Sequence, residues 1–512
     1  MPESFLELYN RVIKKGTCSV CGACVISCPL DLLSFRENIF LSPVSHESDV
    51  IKSDVREIED KCISCGMCIN NCPVHSFGVE KIEKYLNMNF LDNPLGNVIA
   101  ALVGRSLNDE ILRNAQNGGI ATTLFKYLLE HEYVDAVVVA GYDDSSPWKP
   151  VPLIVDSSNI DLLYKAQKSK YFPSWMLLGV KKAVELGYKR IAVTLLPCQL
   201  HGIANMELNN FKKYVDKIFL KVGLFCFGTY WYNDLSKWLM KKYKIGIDEI
   251  AKFDLNRRSF VIYLKNGHFV TGKRMEIIKY LRGSCKHCYD FTGVLADISL
   301  GEIGSPQSWT TIIVRSQKGL DILREMENEN EIELKPISLS NLDMLYGLAI
   351  LKYRYHITKT VFKLSDEKIE SLVQKTVKVS SKMLFDIYMI NIITNTGIPL
   401  YAKTINSYAS DSDPNLLSSF VAALINFSKN ISKENAELKT IDLGKQKIII
   451  EHGENVSILA LVKEDNNILR SILKSIGVEI ELRKLHEKAE NLGDVNEIEK
   501  EIDSIITKIL QR

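Results

Sequence analysis

Charges of the two signs nearly balance along this 512-residue chain, whose formal net charge is +2. So small a net charge gives no global electrostatic reason to expect binding to nucleic acid or to an anionic membrane surface. No apolar run approaches the roughly 18–20 residues that a membrane-spanning helix needs. Residues 1–16 also lack the basic, apolar and small-residue order of a signal peptide. We therefore expect a cytoplasmic protein, with peripheral attachment to a membrane complex through a partner left open.

Two motifs that identify common enzyme classes are also missing. No G-x-G-x-x-G motif follows a predicted strand, which argues against an ordinary Rossmann site for NAD. No serine, histidine and aspartate fall in an arrangement typical of hydrolases, and we assign no catalytic residue. The twelve cysteines are therefore the most informative residues, and in a cytoplasmic protein they predict metal or redox sites before disulfides.

Eight of the cysteines form two copies of one motif. The copies are Cys18-x2-Cys21-x2-Cys24-x3-Cys28-Pro29 and Cys62-x2-Cys65-x2-Cys68-x3-Cys72-Pro73. In this spacing the first three thiolates wrap one corner of a cubane, and the fourth, just before proline, reaches the other cluster. We therefore assign one [4Fe–4S] cluster to Cys18, Cys21, Cys24 and Cys72, and another to Cys62, Cys65, Cys68 and Cys28. Structural zinc and disulfides are the alternatives, but zinc sites seldom show this spacing, and here the unit occurs twice.

These motifs predict a small α+β ferredoxin-like domain with two clusters over residues 1–84. Small residues lie beside the cysteines at Gly22, Ala23 and Gly66. They should let backbone amides approach the sulfurs and so tune the reduction potentials of the clusters. The stretch between the two copies is longer than a minimal ferredoxin needs. We predict an inserted hairpin or a partner-facing loop over Phe35–Asp60.

Residues 85–370 change to alternating helices and strands, which predict a mostly parallel sheet with helices on its faces. The predicted elements include helices Ile120–Glu130 and Ser174–Leu186 and strands Val134–Gly141, Arg190–Leu196, Ile218–Phe225 and Ala296–Ile303. Cys198 and Cys226 each follow the carboxyl end of a predicted strand, at the edge where open α/β sheets place ligands. With Cys285 and Cys288 they could form a third four-thiolate site. A zinc site and unrelated buried cysteines remain alternatives, because spacing alone does not decide.

A series of short motifs resembles the beta-subunit family of coenzyme F420 hydrogenases and dehydrogenases over about residues 95–350. In chain order they are Gly118-Gly119-Ile-Ala-Thr, Ser169-Lys170-Tyr171, Leu196-Pro197-Cys198-Gln199, Leu224-Phe225-Cys226, Cys285-x2-Cys288-x-Asp290-Phe291, Ala296–Ser305, Trp309-Thr-Thr and Arg315. The N-terminal double-motif segment is similar to the electron-input subunits of F420H2 dehydrogenases. The resemblance also covers ferredoxin-dependent reductases, so the fold does not fix the hydride partner.

The resemblance implies a bound FAD, hydride exchange with the deazaflavin F420, and a third [4Fe–4S] cluster on Cys198, Cys226, Cys285 and Cys288. F420 exchanges two electrons at once and a cluster carries one, so a flavin must stand between them. The residues expected to bind the flavin are Asn117, Gly118, Gly119, Thr122, Ser169, Lys170, Tyr171, Gly301 and Ser305. A glycine pair before a helix suits a diphosphate, because backbone N–H groups and the helix dipole face the anion.

Several polar residues in this segment have a plain structural interpretation beside a functional one. Lys170 would lie near the flavin N1 or a phosphate, or else be a solvated lysine. Asp297 and Glu302 would cap loops. His201 and His287 would donate hydrogen bonds behind the cluster or lie on the surface.

Residues 378–512 contain no cysteine and no clustered histidine, so we assign no electron transfer to them. The predicted order β-β-α-β-β-β-α is similar to longin or roadblock-like domains, and Pro414-Asn-Leu-Leu-Ser-Ser-Phe matches their first helix. The predicted strands are Phe385–Thr394, Ile398–Ile405, Glu437–Asp442, Lys447–His452 and Val456–Val462, followed by helices Asn466–Ile476 and Val495–Leu510. This resemblance implies self-association or contact with a small GTPase. An accessory domain packed on its own core is the alternative. The polar stretch Leu364–Ser381 before it predicts a linker or a connecting helix.

The cysteine motifs and the resemblances together predict an α/β multidomain oxidoreductase with a central α/β flavin and iron–sulfur domain and a C-terminal α+β longin/roadblock-like domain. We expect hydride exchange between F420 and FAD, coupled to one-electron transfer through three [4Fe–4S] clusters. The expected partner is a redox protein or subunit of the hydrogenase, heterodisulfide-reductase-like or membrane dehydrogenase type. The alternatives are a ferredoxin-dependent reductase of another organic substrate and a non-catalytic relay or partner-recruiting subunit. The direction of electron flow is left open.

Overall fold

The structure is a computed structural model, and it describes most of the chain. The described residues are 4–34, 55–76, 78–90, 93–143, 146–255, 259–360, 387–395, 397–405, 420, 423–424, 438–463, 465, 467–492 and 495–510. Most of the predicted insertion (35–54), the predicted linker (364–381) and the helix predicted at Pro414 lie outside these residues.

Short helices and turns make up the described part of residues 4–90. The helices are α1 Phe5–Leu8, α2 Ala23–Ser27, α3 Val55–Lys61, α4 Met67–Asn70, α5 Pro73–Ser76 and α6 Val79–Leu86. A wider helical turn, Tyr9–Ile13, continues α1. The end of the predicted hairpin or loop is therefore helical, because α3 lies within it.

The two cysteine motifs share one backbone conformation. Val20 and Ser64, each one residue before the second cysteine of its motif, have φ angles of +57° and +52°. Gly22 and Gly66, each one residue after it, have φ angles of +94° and +73°. Both glycines stand at the start of a short helix, α2 or α4. A glycine takes this left-handed conformation without steric cost, so the same turn is repeated at both motifs.

An eight-stranded sheet forms the centre of the molecule, in the order β11-β1-β10-β9-β5-β4-β2-β3. Its strands are β1 Ala100–Ser106, β2 Ala136–Asp143, β3 Ser146–Val155, β4 Ile191–Leu195, β5 Ile218–Leu224, β9 Ile298–Gly301, β10 Thr310–Val314 and β11 Ile332–Pro336. The helices of this region are α7 Asp109–Asn114, α8 Ile120–Glu130, α9 Leu162–Lys165, α10 Met176–Glu185, α11 Pro197–Leu208, α12 Lys212–Val215, α13 Tyr232–Tyr243, α14 Met275–Ile278, α15 Gln317–Asn328 and α16 Leu339–Thr360. The predicted strands and helices therefore exist, with ends displaced by a few residues at most.

The prediction of a mostly parallel sheet is wrong. Only the central pairs β2–β4, β4–β5 and β5–β9 are parallel. The pairs β1–β10, β1–β11, β9–β10 and β2–β3 are antiparallel. A parallel pair needs a crossover of about a dozen residues or more, and the loops after β2 and β9 are too short for one. The sheet is therefore mixed, with a parallel centre and antiparallel edges.

A small three-stranded sheet that the sequence did not predict follows α13. Its strands, in the order β6-β7-β8, are β6 Ile250–Leu255, β7 Ser259–Leu264 and β8 Phe269–Lys273. The indole Nε1 of Trp148 donates to the carbonyl of Ile250 at 3.2 Å. The rings of Tyr171 and Phe253 meet edge to face at 5.2 Å. The small sheet is thus fixed beside the motif Ser169–Tyr171.

The C-terminal residues form a five-stranded antiparallel sheet in the order β13-β12-β16-β15-β14. Its strands are β12 Ile387–Thr394, β13 Pro399–Thr404, β14 Thr440–Asp442, β15 Lys447–His452 and β16 Val456–Val462, and the helices are α17 Asn467–Leu482, α18 Leu485–Leu492 and α19 Val495–Leu510. The five predicted strands are confirmed, as are both helices after them. The sequence did not predict α18.

The C-terminal sheet shares its core with the central sheet instead of packing on itself alone. Ala101 and Val103 of β1 belong to one apolar cluster with residues of β12, β16 and α17, while Ala100 and Leu102 face another. The buried Ser475 hydroxyl donates to the carbonyl of Ala101 and accepts from its N–H, both at 3.0 Å. Helix α17 is therefore bonded directly to a strand of the central sheet.

Candidate redox site

All twelve cysteines are free thiols, and their effects on one another's pKa divide them into three sets of four. The first thiol set is Cys18, Cys21, Cys24 and Cys72. Burial raises the pKa of Cys24 well above its usual value, and the nearby charges of Cys18, Cys21 and Cys72 raise it further. The pKa of Cys72 is likewise raised by burial and then by Cys21 and Cys18. The thiol before the second proline thus lies among those of the first motif.

The second thiol set is Cys62, Cys65, Cys68 and Cys28, and it lies nearest to solvent. Burial raises the pKa of Cys68 to about 12, with contributions from Cys62, Cys65 and Cys28. Cys65 is exposed. Two exposed apolar side chains, Leu30 and Ile63, stand on the same small depression. This set therefore opens to the surface through an apolar rim.

The third thiol set is Cys198, Cys226, Cys285 and Cys288. Burial raises the pKa of Cys198 well above its usual value, and Cys21, Cys288, Cys226 and Cys285 raise it further. Cys198 lies in the first turn of α11 and Cys226 lies two residues after β5. Since β4 and β5 are parallel neighbours, both cysteines stand at one edge of the sheet, as predicted.

Polar groups surround the third thiol set on several sides. The backbone N–H of Thr229 donates to the Cys285 sulfur at 3.3 Å. The buried Lys352 ammonium donates to the carbonyls of Cys226 at 2.5 Å and Asp290 at 2.7 Å. Burial lowers the pKa of Lys352, but Cys288, Cys226 and Asp290 outweigh it, so the net shift is upward. Lys352 thus holds a positive charge beside this set.

Asp290 and His201 form a buried pair behind the third set. His201 Nε2 lies 3.1 Å from Asp290 Oδ2, and the two side chains are 5% and 0% exposed. The carboxylate also accepts from the N–H groups of Gly293 at 2.8 Å and Val294 at 3.1 Å. Burial raises the pKa of Asp290, but His201, Lys352 and Arg315 lower it more. His201 is therefore a buried partner of Asp290, while His287 is exposed.

The three thiol sets are neighbours in a fixed order. Among the nearby charged groups, Cys21 of the first set raises the pKa of Cys198 of the third set the most. A Cβ on Gly202 of α11 would stand 3.9 Å from the Cys21 sulfur, so α11 packs directly on the first motif. Cys68 of the second set likewise raises the pKa of Cys24 of the first set. The first set therefore lies between the other two.

One cavity of about 330 Å³ lies beside the third thiol set, within the 300–1,000 Å³ range usual for small-molecule sites. Its wall contains Cys226, the first turn of α8 and the ends of β4, β5 and β9. Gln116 connects the surrounding loops, because its amide donates to Asp254 and its Oε1 accepts from the N–H of Ser169 at 3.3 Å. The cavity therefore joins the central sheet, two of the sequence motifs and the small sheet.

Seven of the nine residues expected to bind a flavin line this cavity: Asn117, Gly119, Thr122, Ser169, Lys170, Tyr171 and Gly301. Gly118 and Ser305 are not among the lining residues. A Cβ on Gly118 would stand 2.5 Å from the carbonyl of Gly104, so glycine there permits close backbone packing. The Ser305 hydroxyl lies 2.7 Å from the carbonyl of Glu302 and 2.8 Å from that of Trp309 and donates its one proton to either, which closes the loop between β9 and β10.

Lys170 is not a solvated lysine. Its ammonium donates to the carbonyls of Ala166, Gln167 at 2.7 Å and Lys168 at 2.9 Å. Burial, with the nearby charge of Lys168, lowers its pKa to about 7. Lys170 is thus a covered amine in the cavity wall that can lose its proton near neutral pH.

Asp297 and Glu302 have different surroundings. Asp297 Oδ2 accepts from the N–H of Lys221 at 2.8 Å, so it joins two strands, as a structural role predicts. Glu302 lines the cavity, and burial followed by the charge of Asp254 raises its pKa. Glu302 is thus a wall residue as well as a loop residue.

Sequence reasoning missed four charged or aromatic residues of the site. Arg274 lines the cavity and lies over the ring of Phe227 at 4.9 Å. Arg282 and Lys352 contribute buried positive charges near the thiols. No sequence signal could have indicated them, because each reaches its neighbours only through the tertiary fold.

Each thiol set offers the donor chemistry of an iron–sulfur cluster, four cysteines that lie together. Across the described ranges, no group of three or more His, Cys, Asp or Glu side chains is arranged to hold a metal ion. A cubane differs from a single ion, because its four thiolates bind four irons. The fit to clusters therefore rests on the donor set and on the mutual proximity of the thiols.

Comparison with known proteins agrees with this arrangement. Residues 17–76 match the 4Fe–4S dicluster domain, so the N-terminal segment defines an iron–sulfur protein. Residues 101–181 and 188–340 match the N-terminal and C-terminal parts of the coenzyme F420 hydrogenase/dehydrogenase beta subunit. The chain belongs to this beta-subunit family.

The relatives differ in how much of their length is matched. The coenzyme F420 hydrogenase subunit beta of Methanosarcina barkeri is 31% identical, over 56% of this chain and 94% of the relative. The coenzyme F420-dependent sulfite reductase of Methanocaldococcus jannaschii is 30% identical, over 68% of this chain but only 52% of the relative. The chain thus spans about half of that reductase and nearly all of the hydrogenase subunit.

A solved structure supports the central fold. A chain of the F420-reducing [NiFe] hydrogenase complex from Methanosarcina barkeri is 31% identical, with a TM-score of 0.50. The match covers 53% of this chain and 94% of that chain. Among the described residues, none of the helices has the length and apolar character to cross a membrane.

Proposed function

We propose that this protein is a flavin- and iron–sulfur-dependent oxidoreductase that exchanges a hydride between coenzyme F420 and FAD. Single electrons would then pass through three [4Fe–4S] clusters to a partner protein. The observation that carries the proposal is the position of Cys226, which lines the cavity and also belongs to the third thiol set. Family membership and the F420-linked activities of the relatives support F420 as the hydride partner.

The chain offers residues that suit a flavin dinucleotide. Backbone N–H groups in the first turn of a helix lack partners within the helix and attract anions. Gly119, directly before α8, and Thr122 in its first turn line the cavity. Arg274 supplies a positive charge in the same wall. Phe225 and Phe227 supply apolar surface next to Cys226. When bound, FAD would supply the exchange between two-electron and one-electron chemistry.

The order of the thiol sets supports one route for electrons between cavity and surface. The third set adjoins the cavity, the first set adjoins the third through Cys21 and Cys198, and the second set opens to solvent at Cys65. The apolar rim formed by Leu30 and Ile63 suits contact with the redox partner. Either direction of flow is compatible with this order.

The first experiment is anaerobic purification with metal and flavin analysis. We expect about twelve irons per chain, since each of the three cubanes contains four, and flavin absorbance above the broad cluster band. Cys226→Ser should reduce the iron content to about eight, because it removes one ligand of the third set alone. A colourless protein that binds only zinc would refute the proposal.

The second experiment identifies the hydride partner. F420H2, NADH, NADPH and reduced ferredoxin are added separately to the flavin-loaded protein, and bleaching of the flavin is followed. Bleaching by F420H2 alone is the expected result. Bleaching by reduced ferredoxin alone would favour a ferredoxin-dependent reductase, and failure to bind flavin on reconstitution would favour a relay subunit.

The C-terminal sheet supports a second, separate proposal. Its strand order, 2-1-5-4-3 when its strands are numbered along the chain, agrees with the longin/roadblock-like resemblance of the sequence. We propose that this region recruits a partner, a small GTPase or a second copy of the chain. Light scattering of the purified protein tests self-association, and a monomer that binds no GTPase would refute the proposal.

A further inference from the structure

Arg282 is a completely buried arginine with hydrogen-bonding groups to spare. Its side chain is 1% exposed. Nη2 donates to the carbonyl of Cys18 at 2.7 Å, and the guanidinium lies over the ring of Trp231 at 4.6 Å. Nε and Nη1 are buried without a hydrogen-bond partner in the part of the chain that the structure describes. Two strong donors are therefore left without an acceptor.

The position of Arg282 is between the first and third thiol sets. It directly precedes the loop that carries Cys285 and Cys288, and its N–H donates to the carbonyl of Thr229 at 3.0 Å. On the other side it contacts the backbone of the first motif at Cys18. Burial lowers its pKa, while Cys18, Cys285, Cys198 and Cys21 act in the opposite direction. Two of these thiols belong to each set.

A buried cation with unmet donors is costly unless an acceptor or a negative charge faces it. A [4Fe–4S] cluster with four thiolates provides both, because its sulfurs accept hydrogen bonds and its net charge is negative. Hydrogen bonds and positive charge near a cluster favour the reduced form, which carries one more electron. Clusters at the first and third thiol sets would therefore provide acceptors for the two free donors of Arg282.

We propose that the guanidinium of Arg282 is shared by the clusters of the first and third thiol sets and raises the reduction potentials of both. The inference rests on the proposed function, since it requires both clusters. Arg282 acts as a positioning residue, because it changes the energy of the electron at two neighbouring sites without binding iron. By stabilising the reduced form on both sides, it raises the two potentials together instead of changing one of them alone.

Lys352 provides a matched comparison. It is also a buried cation, but the thiols that act on its pKa, Cys288, Cys226 and Cys285, all belong to the third set. Removing its charge should therefore affect one cluster, whereas removing that of Arg282 should affect two. The cluster of the second set lies near neither residue and serves as an internal reference.

The experiment is a redox titration of the full chain, followed by electron paramagnetic resonance, for the wild type, Arg282→Gln and Lys352→Gln. Iron content is measured first. In Arg282→Gln two of the three midpoint potentials should fall and the third should stay constant. In Lys352→Gln only one should fall, and it should be one of the two that Arg282→Gln lowers.

The results separate this inference from the proposed function. A wild-type protein without about twelve irons would contradict the proposed function. Full iron content in Arg282→Gln with all three potentials unchanged, or with only one lowered, would refute the shared role of Arg282. If Arg282→Gln does not retain iron, Arg282→Lys takes its place in the titration. Lysine keeps the positive charge but lacks the planar guanidinium with its several N–H donors. The proposal then expects two potentials to shift, and unshifted potentials in that variant would refute it.

Discussion

Asp290→Asn should destabilise the protein strongly, although the two side chains have nearly the same shape. The carboxylate of Asp290 accepts hydrogen bonds from the N–H groups of Gly293 and Val294, and it lies 3.1 Å from His201 Nε2. An amide has one acceptor oxygen and turns a donor towards one of these groups. The substitution also leaves the positive charge of Lys352 without a nearby carboxylate.

The expected loss is about 3–5 kcal/mol. The charges of Lys352 and Arg315 act on the buried Asp290 carboxylate, and removing one charge from such a buried group of opposite charges typically costs about 3–5 kcal/mol. Hydrogen bonds to a charged acceptor are individually worth about 1.5–3 kcal/mol, so the three contacts of Asp290 are sufficient for a loss of this size. Since Asp290 directly follows the Cys285–Cys288 loop, the third cluster should become labile at the same time.

The assay is anaerobic urea denaturation, followed by far-ultraviolet circular dichroism and by the visible iron–sulfur band. Asp31→Asn is the control, because Asp31 forms an ion pair with Lys181 but is 62% exposed. Exposed ion pairs contribute about 0–1 kcal/mol. The reasoning is wrong if Asp290→Asn and Asp31→Asn unfold at the same urea concentration.

The pKa of Asp290 also predicts a pH dependence. A carboxyl whose pKa is lowered by folding stabilises the protein above the unfolded value of about 3.9, and this contribution is lost as the pH falls through the folded value. Asp290→Asn should therefore flatten the dependence of stability on pH below about pH 4. An unchanged acid profile would show that other carboxyls dominate there.

Three further substitutions test the packing of the domains. Gly283→Ala should weaken the contact between the first motif and the Cys285–Cys288 loop by about 1–3 kcal/mol, because its Cβ would stand 2.4 Å from the carbonyl oxygen of Gly16. Limited proteolysis should then release the N-terminal segment faster. The control is Gly347→Ala, whose Cβ meets open space and which should not change the rate of proteolysis. Ser475→Ala should speed hydrogen exchange at the N–H of Ala101, since that buried group loses its acceptor at a cost of about 1–3 kcal/mol. Burial raises the pKa of Glu327 to about 7. The stability that goes with its neutral carboxyl is therefore present below the unfolded pKa and is lost as the pH rises through 7. Glu327→Gln should raise the melting temperature at pH 8 and leave it unchanged at pH 5.

The sequence predicted the local features of this protein well. The spacing of the cysteines predicted two four-thiolate sets, and thiols within each set raise one another's pKa, because short loops constrain where successive sulfurs can point. Strands such as Lys447–His452 and Val456–Val462 were predicted with their observed ends, since short apolar runs bounded by polar and glycine-containing turns leave a clear pattern. The motif at Ser169–Tyr171 led to three residues of the cavity wall.

Features that depend on distant contacts were not predicted. The direction of β1, β10 and β11 follows from which edges they pair with, and hydrophobic pattern does not encode this choice. Arg282 and Lys352 look like ordinary surface residues in the sequence, and only packing places them among the thiols. Gly118 was expected to bind a ligand, but the carbonyl of Gly104 packs against it and leaves no room for a side chain. Glycine at this position therefore has a structural explanation.

The arrangement of the three thiol sets has a consequence for any partner of this protein. Among the described residues, the third and first thiol sets lie between the cavity and the second set, whose Cys65 is exposed. A change at Cys65 or at the apolar rim of Leu30 and Ile63 should therefore slow electron exchange with the partner without altering flavin reduction in the cavity.

Ile63→Asp tests this separation, because Ile63 is 63% exposed and its replacement should not disturb folding. Stopped-flow traces should show unchanged flavin bleaching by the hydride donor and slower oxidation by the partner. Equal loss of both steps would mean that the cavity and the second thiol set are not independent.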